Sequence, residues 1–151
     1  MTLPLVTIVT PSYNQARFLE TTIRSVLEQD YPHIEYFVID GGSKDGTVDI
    51  LRRYEDRLAG WVSEPDRGQT DAINKGFGRA RGEILAWLNS DDTYEPGAIR
   101  QAVAYLSDHP EVGLVYGDTQ FIDENGRVIG HFPARQTDYR RLRRGYVHIP
   151  Q

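Results

Sequence analysis

The chain has 151 residues, 39% hydrophobic and 26% charged, with a formal net charge of −5. These values suit one folded domain with its own core and exclude a disordered or low-complexity chain. The absence of cysteine rules out disulfides, thiolate metal sites and a cysteine nucleophile, so any metal must be held by oxygen or imidazole.

In chain order, LVTIVT reads as an apolar, β-branched strand ending in Pro11-Ser12-Tyr13-Asn14. A first helix is predicted over residues 15–29, because Phe18, Leu19, Ile23, Val26 and Leu27 fall on one face, and Tyr31-Pro32 ends it. EYFVI is a second strand running into Asp40-Gly41-Gly42-Ser43. Asp45 is the expected N-cap of a second helix whose inner stripe is Val48, Leu51, Tyr54 and Leu58. GWVS, the third strand, leads into Glu64-Pro65-Asp66-Arg67-Gly68, and a third helix from Gln69 buries Ala72, Ile73 and Phe77. EILAWL reads as a buried strand that runs directly into Asn89-Ser90-Asp91-Asp92. A fourth helix has Pro96 in its first turn and Ile99, Val103 and Leu106 inward, and closes at His109-Pro110. VGLVYGDTQFID and VIGHF, joined through Glu124-Asn125-Gly126-Arg127, read as a hairpin with an Asn-Gly turn.

Strands alternating with helices imply βαβ units. The expected fold is therefore α/β: a mostly parallel, Rossmann-like sheet flanked by helices, with a β-hairpin toward the C-terminus. No repeat or linker interrupts residues 1–151, which are read as one domain. Charge is uneven, with 12 Lys and Arg against 21 Asp and Glu in residues 1–131, but five Arg and one Asp in residues 132–151. The acidic body argues against a nucleic-acid partner. Arg140, Arg141, Arg143 and Arg144 read as a solvated helix face, with contact to anionic lipid or to another part of the same chain as alternatives. No apolar run approaches the roughly 20 residues that span a bilayer, and no signal-like segment opens the chain, so a cytoplasmic location, peripheral to the inner membrane face at most, is expected.

Four strands thus end in polar or acidic clusters, and in an open α/β sheet ligands bind at the carboxyl ends of the strands. Asp91 and Asp92 are the sharpest of these, since adjacent carboxylates at a strand end repel unless a cation or a polar ligand offsets the charge. Mg2+ or Mn2+ fits an all-oxygen site. The alternative for this pair is capping of the fourth helix, which Thr93 could do instead. Asp40 precedes Gly41-Gly42, where glycines admit close approach of a backbone or ligand and the carboxylate can accept from a base N–H or ribose hydroxyls. Tyr13 offers a ring that can stack on a base, or else a core tyrosine. Asp66 is an acceptor suited to a sugar or base, whereas Arg67 and Lys75 could reach a phosphate or stay on the surface.

Neither G-x-x-x-x-G-K-[ST], nor G-x-G-x-x-G after the first strand, nor G-x-S-x-G occurs, and the four histidines follow no metal spacing. VTIVTPSYNQARFLETTIRSVLEQDYPHIEYFVIDGGSKDGT, SEPDRGQTDAINKGFGRARGEILAWLNSDD and YEPGAI together resemble the nucleotide-binding half of a family 2 glycosyltransferase of GT-A fold. The resemblance covers essentially the whole chain. It implies a nucleoside-diphosphate-sugar donor, UDP in the usual case, a divalent metal, and inverting transfer of a hexosyl unit to an acceptor hydroxyl in polysaccharide or glycolipid synthesis. By the same resemblance Thr10, Pro11 and Tyr13 line the base pocket, Asp40 binds uracil or ribose, and Asp66 faces the nucleotide. Asp91 contacts ribose or the metal shell, Asp92 binds the metal, and Lys75 lies on a site-facing helix. The acceptor site and the general base are implied beyond Gln151, so the chain is expected to be a donor-binding part, with self-association through uncovered apolar surface. An inactive nucleotide-binding or regulatory module and a sugar nucleotidyltransferase are the alternatives; the latter needs a glycine-rich basic loop near the amino end, which is absent.

Overall fold

The computed structural model describes residues 3–138, 140 and 141. Strands β1 (Val6–Ser12), β2 (Ile34–Asp40), β3 (Gly60–Ser63) and β4 (Ile84–Trp87) form a parallel sheet in the order β3-β2-β1-β4. Helices α1 (Ala16–Leu27), α2 (Thr47–Tyr54) and α3 (Gln69–Phe77) fill the connections, and α4 (Ala98–Asp108) follows β4. The chain divides into two units, the first through Ala104 and the second from Tyr105.

Alternate residues of a strand face opposite sides of a sheet, and the central strands β1 and β2 bury both sides. On one side Val6, Ile8, Tyr36 and Val38 pack with Leu19, Ile23 and Val26 of α1, Leu51 of α2, and Ile99 and Val103 of α4. On the other, Val9, Phe37 and Ile39 pack with Ala72 and Phe77 of α3. Strand order explains the division. Right-handed crossovers from β1 to β2 to β3 put α1 and α2 on one face, and the return from β3 to the far edge at β4 puts α3 on the other. Helix α3 lies so close to β1 that a Cβ on Gly76 would meet Val9 Cγ1 at 2.4 Å. Fully burying Leu19 or Ile23 contributes about 1.5–3 kcal/mol each.

The elements depart from the sequence reading in instructive places. Helix α2 stops at Tyr54, and Glu55–Arg57 tighten into a 3-10 turn before Leu58 takes an extended backbone. Pro96 lies before α4, which begins at Ala98 after Gly97 in the left-handed region. EILAWL is an edge strand: Ile84 and Ala86 pack toward the first core, while Leu85 and Trp87 remain exposed on the face that α3 leaves open. An apolar run does not distinguish a central strand from an edge strand buried on one face.

Opposite the strand ends that carry the polar clusters, buried Glu35 ties three segments together. Its Oε2 accepts from Thr7 Oγ1 at 2.7 Å and from Arg81 N–H at 2.9 Å, and its Oε1 accepts from Arg81 Nε at 2.6 Å. In the second unit β5 (Thr119–Ile122) and β6 (Val128–Phe132) form the antiparallel hairpin. Asp123 is turn chemistry there, with Oδ1 accepting from the N–H groups of Asn125 and Arg127, and Gly126 has φ +77°. Arg140 and Arg141 are exposed, whereas Arg143, Arg144 and the segment through Gln151 lie outside the described residues. Among the described residues no helix is long and apolar enough to cross a membrane.

Candidate functional site

The parallel register brings the strand ends level. Ser12 pairs with Asp40, Val9 pairs with Trp87, and Leu88 N–H continues the β1–β4 ladder to Val9 O at 3.0 Å. Strand order reverses between β1 and β4, so the loops after these two strands flank the crevice where open α/β sheets take ligands.

On the β1 side Thr10 and Pro11 are buried, and Thr10 Oγ1 shares a 2.8 Å hydrogen bond with the Tyr36 hydroxyl. Tyr13 is 62% exposed. The loop is locked to the one after β2 by three bonds: Asn14 N–H to Ser43 Oγ at 2.7 Å, Lys44 N–H to Asn14 Oδ1 at 3.0 Å, and Ala16 N–H to Asp45 Oδ2 at 2.8 Å. Asp45 also accepts from Thr47 N–H and Thr47 Oγ1, so it serves the first turns of both α1 and α2. Burial alone would raise its pKa; the bonds from Thr47 and Ala16 outweigh burial and hold it below the usual carboxylate range.

Asp40 is fully buried. Its Oδ2 accepts from Gly42 N–H at 3.1 Å, Ser43 N–H at 2.9 Å and Ser63 Oγ at 2.6 Å, and its Oδ1 accepts from Ser43 Oγ. Ser43 Oγ in turn receives Asn14 N–H, so Asp40 is linked through one hydroxyl to the loop that carries Tyr13. What approaches Gly41 and Gly42 closely is the chain's own segment after β3: a Cβ on Gly41 would sit 3.0 Å from Asp66 Oδ2, and one on Gly42 3.3 Å from Pro65 N. Asp66 is half-buried, and its Oδ1 accepts from Gly68 N–H at 2.8 Å. Lys75 Nζ lies 2.9 Å from Glu64 Oε1 and 3.6 Å from Asp71 Oδ2, and its pKa is raised, chiefly by the bond to Glu64. Arg67 pairs with Asp71 at 2.9 Å.

At the β4 end Asp91 is exposed and Asp92 half-buried. Burial pushes the Asp92 carboxyl above its usual range and the charge of Asp91 adds to this, against a bond from Asn89 Nδ2 at 3.0 Å. Asn89 Oδ1 accepts from Gln69 Nε2 of α3 at 2.6 Å, which joins the third loop to the acidic one. Buried Thr22 of α1 donates its hydroxyl within 2.9 Å of Ser90 O and 2.8 Å of Asp92 O, fixing the backbone under the pair. Neither aspartate caps α4, which starts more than a turn later at Ala98. Thr22 and Gln69 carry no chemical signature in sequence; their roles come from partners 20 or more residues away.

Among the described residues no three His, Asp or Glu side chains gather into a metal cage. Two adjacent carboxylates nevertheless fit Mg2+ or Mn2+ held in the usual nucleotide manner, by one or two protein carboxylates with the ligand's phosphates completing the shell.

The family model for Glycosyl transferase family 2 matches residues 7–150. An uncharacterized glycosyltransferase of Mycobacterium tuberculosis is 41% identical over 76% of this chain and 44% of its own length. TuaG, named as a candidate teichuronic acid biosynthesis glycosyltransferase of Bacillus subtilis, is 39% identical over 68% of this chain and 42% of its own. The chain therefore spans less than half the length of these relatives. Among solved structures, the mannosyltransferase of Pyrobaculum calidifontis in complex with GDP-Man and Mn2+ superposes with a TM-score of 0.66 at 32% identity, covering 78% of this chain and 35% of that one. S. aureus TarS in complex with UDP superposes at 0.63 with 25% identity, covering 70% and 33%. The fold is GT-A, and the match across the four strands and their loops makes this chain a member of glycosyl transferase family 2.

Proposed function

We propose that this chain binds a nucleoside-diphosphate sugar with a divalent cation and supplies the donor half of an inverting glycosyl transfer. The observation that carries the reading is the reversal of strand order between β1 and β4, where the loop after β1 carries an exposed aromatic ring and the loop after β4 a half-buried carboxylate of raised pKa beside a second carboxylate. The neighbours solved with GDP-Man and Mn2+ and with UDP support both the nucleotide and the metal.

In this reading Tyr13 stacks on the base over a floor of Thr10 and Pro11. Asp66 faces the nucleoside, Asp91 accepts from ribose hydroxyls, and Asp92 holds the cation. A bound Mg2+ or Mn2+ would offset the charge of the departing diphosphate. Asp40 works from beneath, holding Ser43 and through it the β1–α1 loop in place. Lys75, held by Glu64 and Asp71, contributes positive charge on the α3 side. The donor is a UDP-sugar, with a GDP-sugar as the competing case because of the mannosyltransferase; the acceptor is a growing polysaccharide or a lipid-linked glycan. Titrating UDP and GDP into the chain with Mn2+, and again with a chelator, tests the reading. Metal-dependent binding of either supports it, and binding of neither by folded protein overturns it.

A further inference from the structure

We propose that Gln69, the first residue of α3, is a positioning residue for the cation: it sets which way the Asn89 side chain faces and, through it, the carboxylate of Asp92. The proposal rests on the reading of Asp92 as the cation carboxylate. Three side chains stand in series, with Gln69 Nε2 donating to Asn89 Oδ1 at 2.6 Å and Asn89 Nδ2 donating to Asp92 Oδ2 at 3.0 Å. The series can be built in one direction only. An ionised carboxylate accepts and does not donate, so the Asn89 amide must turn its NH2 to Asp92; its carbonyl oxygen then faces α3, and α3 must answer with a donor. Glutamine answers with its own NH2. With an acceptor, or with no polar group, at position 69 the Asn89 amide loses what holds it that way round.

Strands β3 and β4 are opposite edges of the sheet. Gln69, at the end of the loop after β3, and Asn89, just beyond β4, meet because α3 crosses the face that carries Val9. On the other face Thr22 of α1 bonds the carbonyl oxygens of Ser90 and Asp92. The acidic loop is thus held from both faces, with a division of labour: α1 fixes its backbone, and α3 fixes a side chain that touches the carboxylate itself. Exposure separates the second contact from the needs of the fold. Gln69 is exposed, and a neutral bond that water can replace adds little to stability. A hydrogen bond that orients a metal-ligating carboxylate, by contrast, is worth about 10–100-fold in metal affinity.

The test is calorimetric titration of UDP, and of GDP, into the whole chain at a series of Mn2+ concentrations, reading the Mn2+ concentration that gives half of the metal effect. It compares wild type with Gln69→Met, Gln69→Glu and Thr70→Glu. Methionine keeps the length of the side chain and removes the donor. Glutamate is isosteric, turns the donor into an acceptor, and in the first turn of a helix does not weaken it. Thr70→Glu places the same charge one residue on, at an exposed position. Gln69→Met should raise the half-effect concentration several-fold and Gln69→Glu by about tenfold or more. Thr70→Glu should stay within about twofold of wild type in physiological salt, and all four melting temperatures should agree. An unchanged half-effect in Gln69→Met, a loss in Gln69→Glu that Thr70→Glu matches, or a loss that follows a fall in melting temperature overturns the role of Gln69. Binding that ignores Mn2+ overturns Asp92 as the cation carboxylate and this proposal with it, and binding of neither nucleotide by folded wild type overturns the nucleotide reading itself.

Discussion

Strand β2 and the loop after β4 each present an aspartate at the same end of the sheet, and the two carboxylates are held in opposite ways. Asp40 is fully buried and receives bonds from Gly42, Ser43 and Ser63. Asp92 is half-buried, receives a side-chain bond from Asn89, and stands beside Asp91 with its pKa raised by burial and by that neighbour. A carboxylate with its hydrogen bonds supplied internally holds loops together; one left short of donors and next to a like charge has use for a cation. In the proposed reading this contrast assigns Asp40 to holding the loops and Asp92 to the cation, where sequence offers only two aspartates at strand ends.

The largest expected effect breaks the Asp40 side of this contrast. Asp40→Ala leaves half-buried N–H and O–H donors of three residues without their acceptor and empties a fully buried position, and should lower stability by about 2–4 kcal/mol in urea denaturation. A loss below about 1 kcal/mol would mean that water replaces the carboxylate and that Asp40 is no keystone. Asp92→Ala is the converse. It should abolish metal-dependent binding of the nucleoside diphosphate while leaving the melting temperature unchanged or slightly higher, because it removes a carboxylate whose ionised form burial and Asp91 disfavour. A fall of several degrees with binding kept would make the acidic pair structural.

Much of this was legible in the sequence because it is local. Four strands running into polar clusters, the start of α3 at Gln69 and the Asn-Gly turn at Gly126 follow from periodicity and turn chemistry. The different fates of Asp40 and Asp92 were not legible, because they depend on distant donors. Ser63 reaches Asp40 from 23 residues away, and Thr22 reaches the acidic loop from 68 and 70. Asp45 looked like an ordinary cap, yet it also accepts from Ala16 on another helix. The space over Gly41 is visible only once the segment with Asp66 is folded onto it.

Thr22→Val sharpens the contrast from the α1 side. The isosteric change removes only the hydroxyl that reaches Ser90 O and Asp92 O, at an expected cost of about 1–2 kcal/mol. Metal-dependent nucleotide affinity should fall several-fold as the acidic loop loosens. Unchanged affinity at that stability loss would show that the position of the pair does not depend on α1.

The smallest effect concerns Glu35, the buried carboxylate at the other end of the sheet, and it is one of pH. Burial alone would raise its pKa, but Arg81 N–H, the Thr7 hydroxyl and the Arg81 guanidinium outweigh burial and hold it below the usual carboxylate range. A carboxyl with a lower pKa in the folded than in the unfolded chain binds fewer protons when folded. Its contribution is therefore fully present above the unfolded pKa of about 4.3 and is lost as pH falls through the lower folded value. Arg81→Met deletes the guanidinium bond and keeps the backbone one, so the variant should be less stable than wild type by about 1 kcal/mol at neutral pH, and the gap should close as pH drops below about 4. Urea midpoints of the two proteins across that range give the measurement. A gap that persists in acid would assign the loss to packing of the arginine stem, leaving Glu35 held by Thr7 and the Arg81 backbone alone.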